Sequence, residues 1–127
     1  MKKEIVNEWF ELGNRDVESA KVLLKSNIHF SVVLFHLQQA VEKYIKGFLI
    51  HNGWKLKKIH DLETLLNIAM EFDDKFKEYL DFGRKLTVFF YEERYPPGLI
   101  PSYEKKELNK LLRITEKLIK KIKNKTK

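Results

Sequence analysis

Apolar residues recur at steps of three and four through most of this chain, which is the spacing of one face of an α-helix. The first such stripe runs through residues 4–26 and the second through residues 31–52. Gly53 follows the second stripe, and glycine readily adopts the left-handed conformation that a helix C-cap needs. The pattern therefore predicts two long amphipathic helices joined by a short connection.

Three further helical segments follow these two. A short one is predicted at about 61–71, and a longer one begins at a cap provided by Asp73 or Asp74. Residues 95–98, with the sequence Tyr-Pro-Pro-Gly, end that helix, and a last helix is predicted at about 102–123 with a serine as its cap. No segment of any length alternates with period two, so no sheet is expected. The predicted fold class is all-α, an antiparallel up-and-down bundle of four to five helices.

Length and composition place this bundle in a single domain that spans residues 1–127. A chain of this length has room for one hydrophobic core. It contains no run of about 18 apolar residues, so no membrane span is expected, and its first residues lack the apolar stretch of a signal peptide. Cysteine is absent and the four histidines are scattered, so we expect neither a metal site nor a cofactor. These features favour a cytoplasmic protein.

The net charge of +7 is confined to the end of the chain. Residues 104–127 carry ten basic and three acidic side chains, whereas residues 1–103 carry fifteen of each. A Lys-rich helix and tail of this kind is most simply a solvated face, whose charge also favours the helix C-terminus. The alternative is contact with an acidic partner or with nucleic acid, which would be weak, non-specific and salt-dependent.

Polar residues also fall on or beside the predicted buried stripes, and Asp16 is the first of them. It continues the line formed by Trp9 and Leu12, where an unpaired carboxylate is costly. Asp16 is interpreted either as half of a structural pair or a partly exposed edge residue, or as part of a binding site.

A second polar set lies on the second helix at helical spacing, and it consists of His36, Gln39, Glu42, Lys43 and Lys46. Glu42 and Lys46 form an i,i+4 pair, so the set is also interpretable as an ordinary solvated face with one salt bridge. Two shorter polar segments have similar double interpretations. The dipeptide at 60–61 (His-Asp) suits a helix start, and the tripeptide at 94–96 (Arg-Tyr-Pro) suits a helix end.

Together these segments resemble the pattern of the HEPN domain, in the same order along the chain. They are Arg15-Asp16, the stretch from Leu37 to Gly47 that contains Gln-Gln-Ala-Val-Glu-Lys, His60-Asp61-Leu62, and Glu93-Arg94-Tyr95-Pro96. The resemblance extends from about Trp9 to the final helix. It implies an antiparallel helical bundle that is often dimeric. A run of aromatic residues at 89–91, which one core cannot easily bury on one side, is compatible with a homodimer.

The resemblance also implies an activity that can be checked in the sequence. Many HEPN proteins are metal-independent ribonucleases that act through an Arg-x(4–6)-His motif. The arginines of this chain are Arg15, Arg84, Arg94 and Arg113, and none has a histidine at that spacing downstream. A metal-independent ribonuclease toxin with a degenerate site is therefore the alternative interpretation, and it would need a histidine from elsewhere as acid or base.

The favoured interpretation follows another branch of the family. Small HEPN proteins with the Arg-Tyr-Pro ending are similar to partners of minimal nucleotidyltransferases in two-component, toxin–antitoxin-like systems, and are thought to bind a nucleotide or the partner. The resemblance implies a non-catalytic ligand-binding set of Asp16, His36, Gln39, Glu42, Lys43, Lys46, Arg94 and Tyr95. Arg94 suits bidentate phosphate contact and Tyr95 suits base stacking. No phosphate-cradling glycine loop is present.

Overall fold

The computed structural model describes residues 1–92 and 104–127, and within these ranges residues 89–92 are described by their backbone alone. The elements are α1 (Lys2–Lys25), α2 (Phe30–His51), α3 (Leu62–Met70), a 3-10 helix (Asp74–Tyr79), α4 (Leu80–Glu92) and α5 (Lys105–Lys125). Five α-helices and no strand occur in these ranges, which confirms the all-α bundle expected from the periodicity. None of the described helices is both long enough and apolar enough to cross a bilayer.

The helix α2 is the centre of the bundle, because it packs against α1, α3, α4 and α5. Its mean composition is apolar enough to bury side chains on several sides, whereas α1 and α5 bury one stripe each. The connection between α1 and α2 comprises only residues 26–29, and so short a connection favours an antiparallel arrangement of the two helices. The largest fully buried side chains come from α2, α3, the 3-10 helix, α4 and α5, and they include Leu37, Tyr44, Leu65, Phe76, Leu86 and Leu118.

The start of α3 agrees with the sequence prediction. Asp61 is its N-cap, and the carboxylate accepts hydrogen bonds from Glu63 N at 3.2 Å and from Thr64 Oγ1 at 2.6 Å. The neighbouring backbone is also fixed from the other side, because Leu62 N donates to Thr87 Oγ1 of α4 at 3.0 Å. The interpretation of residues 60–61 as a helix start is therefore confirmed.

The fourth predicted helix is divided in the structure. Asp73 is the cap, but it caps the 3-10 helix, and the regular α-helix begins only at Leu80. Phe76 and Tyr79 are both buried and lie three residues apart, a spacing that 3-10 geometry keeps on one side. Burial of these two rings therefore accounts for the tighter helix, which α-helical periodicity in the sequence does not distinguish.

The last helix also begins later than predicted. Glu104 is its N-cap and Lys105 its first residue, so the predicted start at 102 is about two residues early. The predicted break at 95–98 and the serine cap at 102 lie outside the described residues, as do the aromatic side chains at 89–91.

Asp73 ties the end of α5 to this region of the bundle. Its Oδ1 accepts a hydrogen bond from Lys75 N at 3.0 Å, while Oδ2 lies 2.6 Å from Lys125 Nζ and 3.3 Å from Lys121 Nζ. The Lys125 ammonium, the Lys75 backbone N–H and the Lys121 ammonium hold the pKa of this carboxyl well below its usual range. Two of the lysines in the basic C-terminal segment, Lys121 and Lys125, therefore stabilise the fold by pairing with Asp73.

We expect Asp73→Asn to lower the free energy of unfolding at pH 7 by about 1–2 kcal/mol, because asparagine retains the capping oxygen but removes two ion pairs. A carboxyl with a lowered folded-state pKa stabilises fully above its unfolded-state pKa of about 4, and loses that contribution as the pH falls below it. The difference between parent and variant should thus shrink from pH 4 towards pH 2. Urea unfolding at several pH values measures it.

Asp81→Asn is the control for this prediction, because Asp81 pairs with Arg84 at 2.9 Å while its own side chain is fully exposed. An exposed pair contributes little, so this variant should unfold within about 0.5 kcal/mol of the parent. Equal losses in the two variants would show that Asp73 acts only through overall charge.

Candidate functional site

The carboxylate of Asp16 is held between α1 and α2. Its Oδ1 lies 2.8 Å from His36 Nδ1, and its Oδ2 accepts a hydrogen bond from Lys43 Nζ at 2.6 Å. An ionised carboxylate can only accept, so we assign the proton of the imidazole to Nδ1. The side chain of Asp16 is 11% exposed. Asp16 is therefore paired, as one of its two sequence interpretations required.

A second carboxylate, that of Glu42, is held in the same way. Its Oε2 accepts from Lys46 Nζ at 2.9 Å, and His60 Nδ1 lies 3.1 Å and 3.2 Å from its two oxygens. Gln38 Nε2 donates to Oε1 at 3.3 Å. The side chains of Glu42 and Lys46 are 6% and 4% exposed. The ammonium of Lys46 also lies 5.8 Å from the centroid of the Trp9 ring.

The two carboxylates divide the polar set that the sequence placed on one face. Lys43 pairs with Asp16 and Lys46 pairs with Glu42, although the two lysines are only three positions apart on α2. The interpretation of this set as an ordinary solvated face is wrong, because Glu42 and Lys46 are almost completely removed from water. A pair this deeply buried is tolerated only where its remaining hydrogen-bonding capacity is also met.

Gln38 provides one of the hydrogen bonds that the buried Glu42 carboxylate needs, and the sequence did not identify Gln38 as a site residue. Its side chain is fully buried; Nε2 donates to Glu42 and to the backbone oxygen of His60 at 3.1 Å. Its Oε1 accepts from Gln39 Nε2 at 2.7 Å, which joins Gln39 to the Glu42 group. The sequence did contain a signal for this contact. Gln38 lies four residues before Glu42 on a predicted helix, and side chains at that spacing are neighbours.

Each carboxylate thus orients one lysine and one histidine, and the imidazoles stand nearer the surface than the acids. The side chain of His36 is 25% exposed and that of His60 is 47% exposed. His36 also borders an open groove of about 530 Å³, which is lined by Arg15, Glu18, Ser19, Val22, Leu23 and His36. The pattern of a buried acid with an outward imidazole can position hydrogen-bonding groups for a ligand or a partner.

Two predicted site residues, Arg94 and Tyr95, lie outside the described residues. The helix α4 runs to Glu92, two positions before Arg94 in the sequence, and Thr87 of α4 bonds to the start of α3 beside His60. In the described ranges, no group of three or more histidine, aspartate or glutamate side chains is arranged to hold a metal ion.

Comparison with known proteins identifies the family. Residues 6–125 match the sequence model of the HEPN domain. The chain belongs to the HEPN family. This confirms the resemblance seen in the sequence, and the matched range includes both carboxylate groups.

Two relatives of this HEPN protein illustrate the match. A protein of Methanocaldococcus jannaschii named "Putative toxin MJ1304" is 36% identical over 74 residues, which cover 57% of this chain and 48% of that protein. This chain therefore spans about half of that relative. The crystal structure of ST0689, an archaeal HEPN homologue, superposes with a TM-score of 0.76 over 96% of this chain and 98% of the other, at 22% identity. This second match bears on the fold alone.

Proposed function

We propose that this HEPN protein is the non-catalytic subunit of a two-component, toxin–antitoxin-like system, and that it acts by binding a minimal nucleotidyltransferase partner. The toxin name of the M. jannaschii relative supports the toxin–antitoxin setting. The absence of an Arg-x(4–6)-His motif supports a binding role over a catalytic one.

The observation that carries the proposal is the pair of buried carboxylates, Asp16 between α1 and α2, and Glu42 between α2 and the start of α3. Apolar residues in place of a buried ionic group are often as stable or more so, so the stability of the bundle does not explain these groups. They do fix the partly exposed side chains of His36, Lys43 and His60 in single orientations. Preorganised groups lose less entropy when a partner binds.

A protein partner suits this face better than a free nucleotide. The acids Asp16 and Glu42 neutralise Lys43 and Lys46, which leaves little positive charge for a polyphosphate. Apolar surface lies on the same helix, since the side chain of Leu12 is exposed one turn before Asp16. Arg94 and Tyr95, proposed from the sequence, would add a guanidinium and an aromatic ring. Homodimerisation of the subunit remains part of the proposal.

The second candidate function is ribonuclease activity, and one specific feature favours it. An imidazole oriented by a carboxylate is a common acid–base arrangement, and the chain has two, His36 with Asp16 and His60 with Glu42. Either histidine could take the role that the missing motif usually supplies.

One set of measurements separates the two functions. The proposal expects a purified minimal nucleotidyltransferase from the same genome to bind this chain in calorimetry, and Leu12→Glu to weaken that binding by about ten-fold or more. Leu56→Glu, at an exposed position in the connection after α2, is the matched control and should bind within about two-fold of the parent.

RNA incubated with the parent chain should stay intact. Cleavage by the parent that Arg94→Ala or His60→Ala abolishes would reverse the ranking of the two functions. Failure to bind any nucleotidyltransferase would remove the partner role itself.

A further inference from the structure

A basic groove lies between α1, α2 and α5, and none of the predicted site residues that the structure describes lines it. Its volume is about 470 Å³, which is within the usual range for small-ligand sites. Its lining consists of Asn14, Val17, Lys21, Tyr44, Glu116, Ile119, Lys120, Lys123, Asn124 and Lys127. Four ammonium groups thus face one cavity together with a single carboxylate.

Most of this positive charge has no internal counterpart. Glu116 pairs with Lys21 across the groove at 2.9 Å. In the part of the chain that the structure describes, Lys120, Lys123 and Lys127 make no ion pair. Lys120 and Lys123 lie one turn apart on α5, and Lys127 follows two residues after the helix ends, so all three line the same side of the groove. Three like charges on one side repel one another unless an anion joins them.

Four other lysines are neutralised by carboxylates of the bundle. Lys43 is neutralised by Asp16 and Lys46 by Glu42. A second basic groove beside α5 is lined by Lys117, Lys120, Lys121 and Lys125, of which Lys121 and Lys125 are bound to Asp73. Among the described residues, the groove between α1 and α5 is thus lined by three lysines without an ion pair (Lys120, Lys123 and Lys127), whereas the second groove has two (Lys117 and Lys120).

The floor of the groove is rigid. Tyr44 is almost fully buried, its ring is stacked on Phe10 at 5.1 Å between centroids, and a side chain at Gly13 would collide with it. The ammonium of Lys123 lies 5.6 Å from the centroid of the Tyr44 ring. Burial raises the pKa of the Tyr44 phenol, so the floor stays uncharged. A fixed floor and one placed ammonium reduce the ordering that a ligand must cause.

We propose that this groove is a phosphate-binding site, which takes the phosphate groups of a nucleotide or of single-stranded RNA. Ammonium groups with two nearby amides, those of Asn14 and Asn124, supply the many donors that phosphate oxygens need. The site is separate from the surface at His36, Lys43 and His60 that is proposed to bind the partner, so neither proposal depends on the other.

Binding is tested with a fluorescent twelve-residue oligouridine and with inorganic tripolyphosphate as competitor, on the full chain across a salt series. The triple variant Lys120→Gln, Lys123→Gln, Lys127→Gln should bind the RNA at least about ten-fold more weakly, with the slope of log K against log salt reduced by about 2. Tripolyphosphate should raise the melting temperature of the parent and not that of this variant.

The matched control is Lys105→Gln, Lys106→Gln, Lys110→Gln, which removes the same charge from exposed positions at the other end of α5. It should bind within about two-fold of the parent, with a smaller change in salt slope. Displacement of the RNA by tripolyphosphate and ATP identifies free phosphates as ligands; RNA binding without such displacement identifies the nucleic-acid backbone.

Three results would overturn the proposal. One is equal loss of binding in the two triple variants, which would mean that only overall charge matters. Another is no binding of any of the three phosphate probes at low salt. The last is displacement of the RNA by an oligoglutamate peptide as effectively as by tripolyphosphate, which would mean that the groove selects negative charge and not phosphate.

Discussion

Glu42→Ala is expected to lower the free energy of unfolding by about 3–5 kcal/mol, because it leaves a buried ammonium without its counter-ion. Lys46 is as inaccessible as Glu42, and its Nζ has the Glu42 carboxylate as its hydrogen-bond acceptor at 2.9 Å. Gln38 and His60 also lose a partner in this variant. Urea unfolding followed by far-UV circular dichroism measures the loss.

Two variants test this explanation. Glu42→Leu combined with Lys46→Met removes both charges at similar volume, and should recover most of the stability that Glu42→Ala loses. Glu63→Ala breaks the pair between Glu63 and Arg84, in which both side chains are well exposed, and should have a much smaller effect. If Glu42→Ala lowered the free energy of unfolding by less than about 1 kcal/mol, the Lys46 ammonium would be hydrated in the variant, and the pair would behave as an exposed one.

Gly13→Leu is expected to destabilise the bundle by about 3 kcal/mol, even though leucine is the better helix former by nearly 1 kcal/mol. A Cβ at this position would stand 2.7 Å from Tyr44 Cδ2 and 3.4 Å from the backbone oxygen of Ala40. The Tyr44 ring cannot retreat easily, because it is buried and stacked on Phe10. The two long helices would have to move apart, which thermal and urea unfolding should both detect.

Gly53→Ala separates this steric effect from the backbone preference of glycine. Gly53 has a φ of 93°, but a Cβ there would meet nothing within 4 Å. Its substitution should therefore cost only about 1 kcal/mol, from the strained left-handed backbone. If Gly13→Leu lowered the free energy of unfolding no more than Gly53→Ala does, α1 and α2 would not approach each other closely at Tyr44.

Local features of the fold were predictable because their causes are local. Helical stripes need only the order of apolar residues, and the cap at Asp61 needs only a side chain next to its own helix. The division of the fourth helix was not predictable in this way. Its 3-10 segment depends on the burial of Phe76 and Tyr79 in the core. The position of the core relative to these rings is set by the neighbouring helices.

The binding face was predictable only in part. Its residue types on α2 and the i,i+4 pair of Glu42 with Lys46 are visible in the sequence. Their burial is not visible, because it depends on Trp9 and on the turn at His60, which are distant along the chain. Gln38 was missed for the same reason, since its partners include a backbone oxygen 22 residues away.

The sequence by itself determined the helices, the HEPN family, the missing ribonuclease motif and the positive charge at 104–127, because each depends on residue order alone. Tertiary structure alone decided which charges cancel. Carboxylates from α1, α2 and the segment before the 3-10 helix neutralise Lys43, Lys46, Lys121 and Lys125. Three lysines that make no ion pair among the described residues, Lys120, Lys123 and Lys127, line a groove between α1 and α5. Ion pairing acts over a few ångströms of space and not along the chain, so residue order alone does not show which lysines are neutralised.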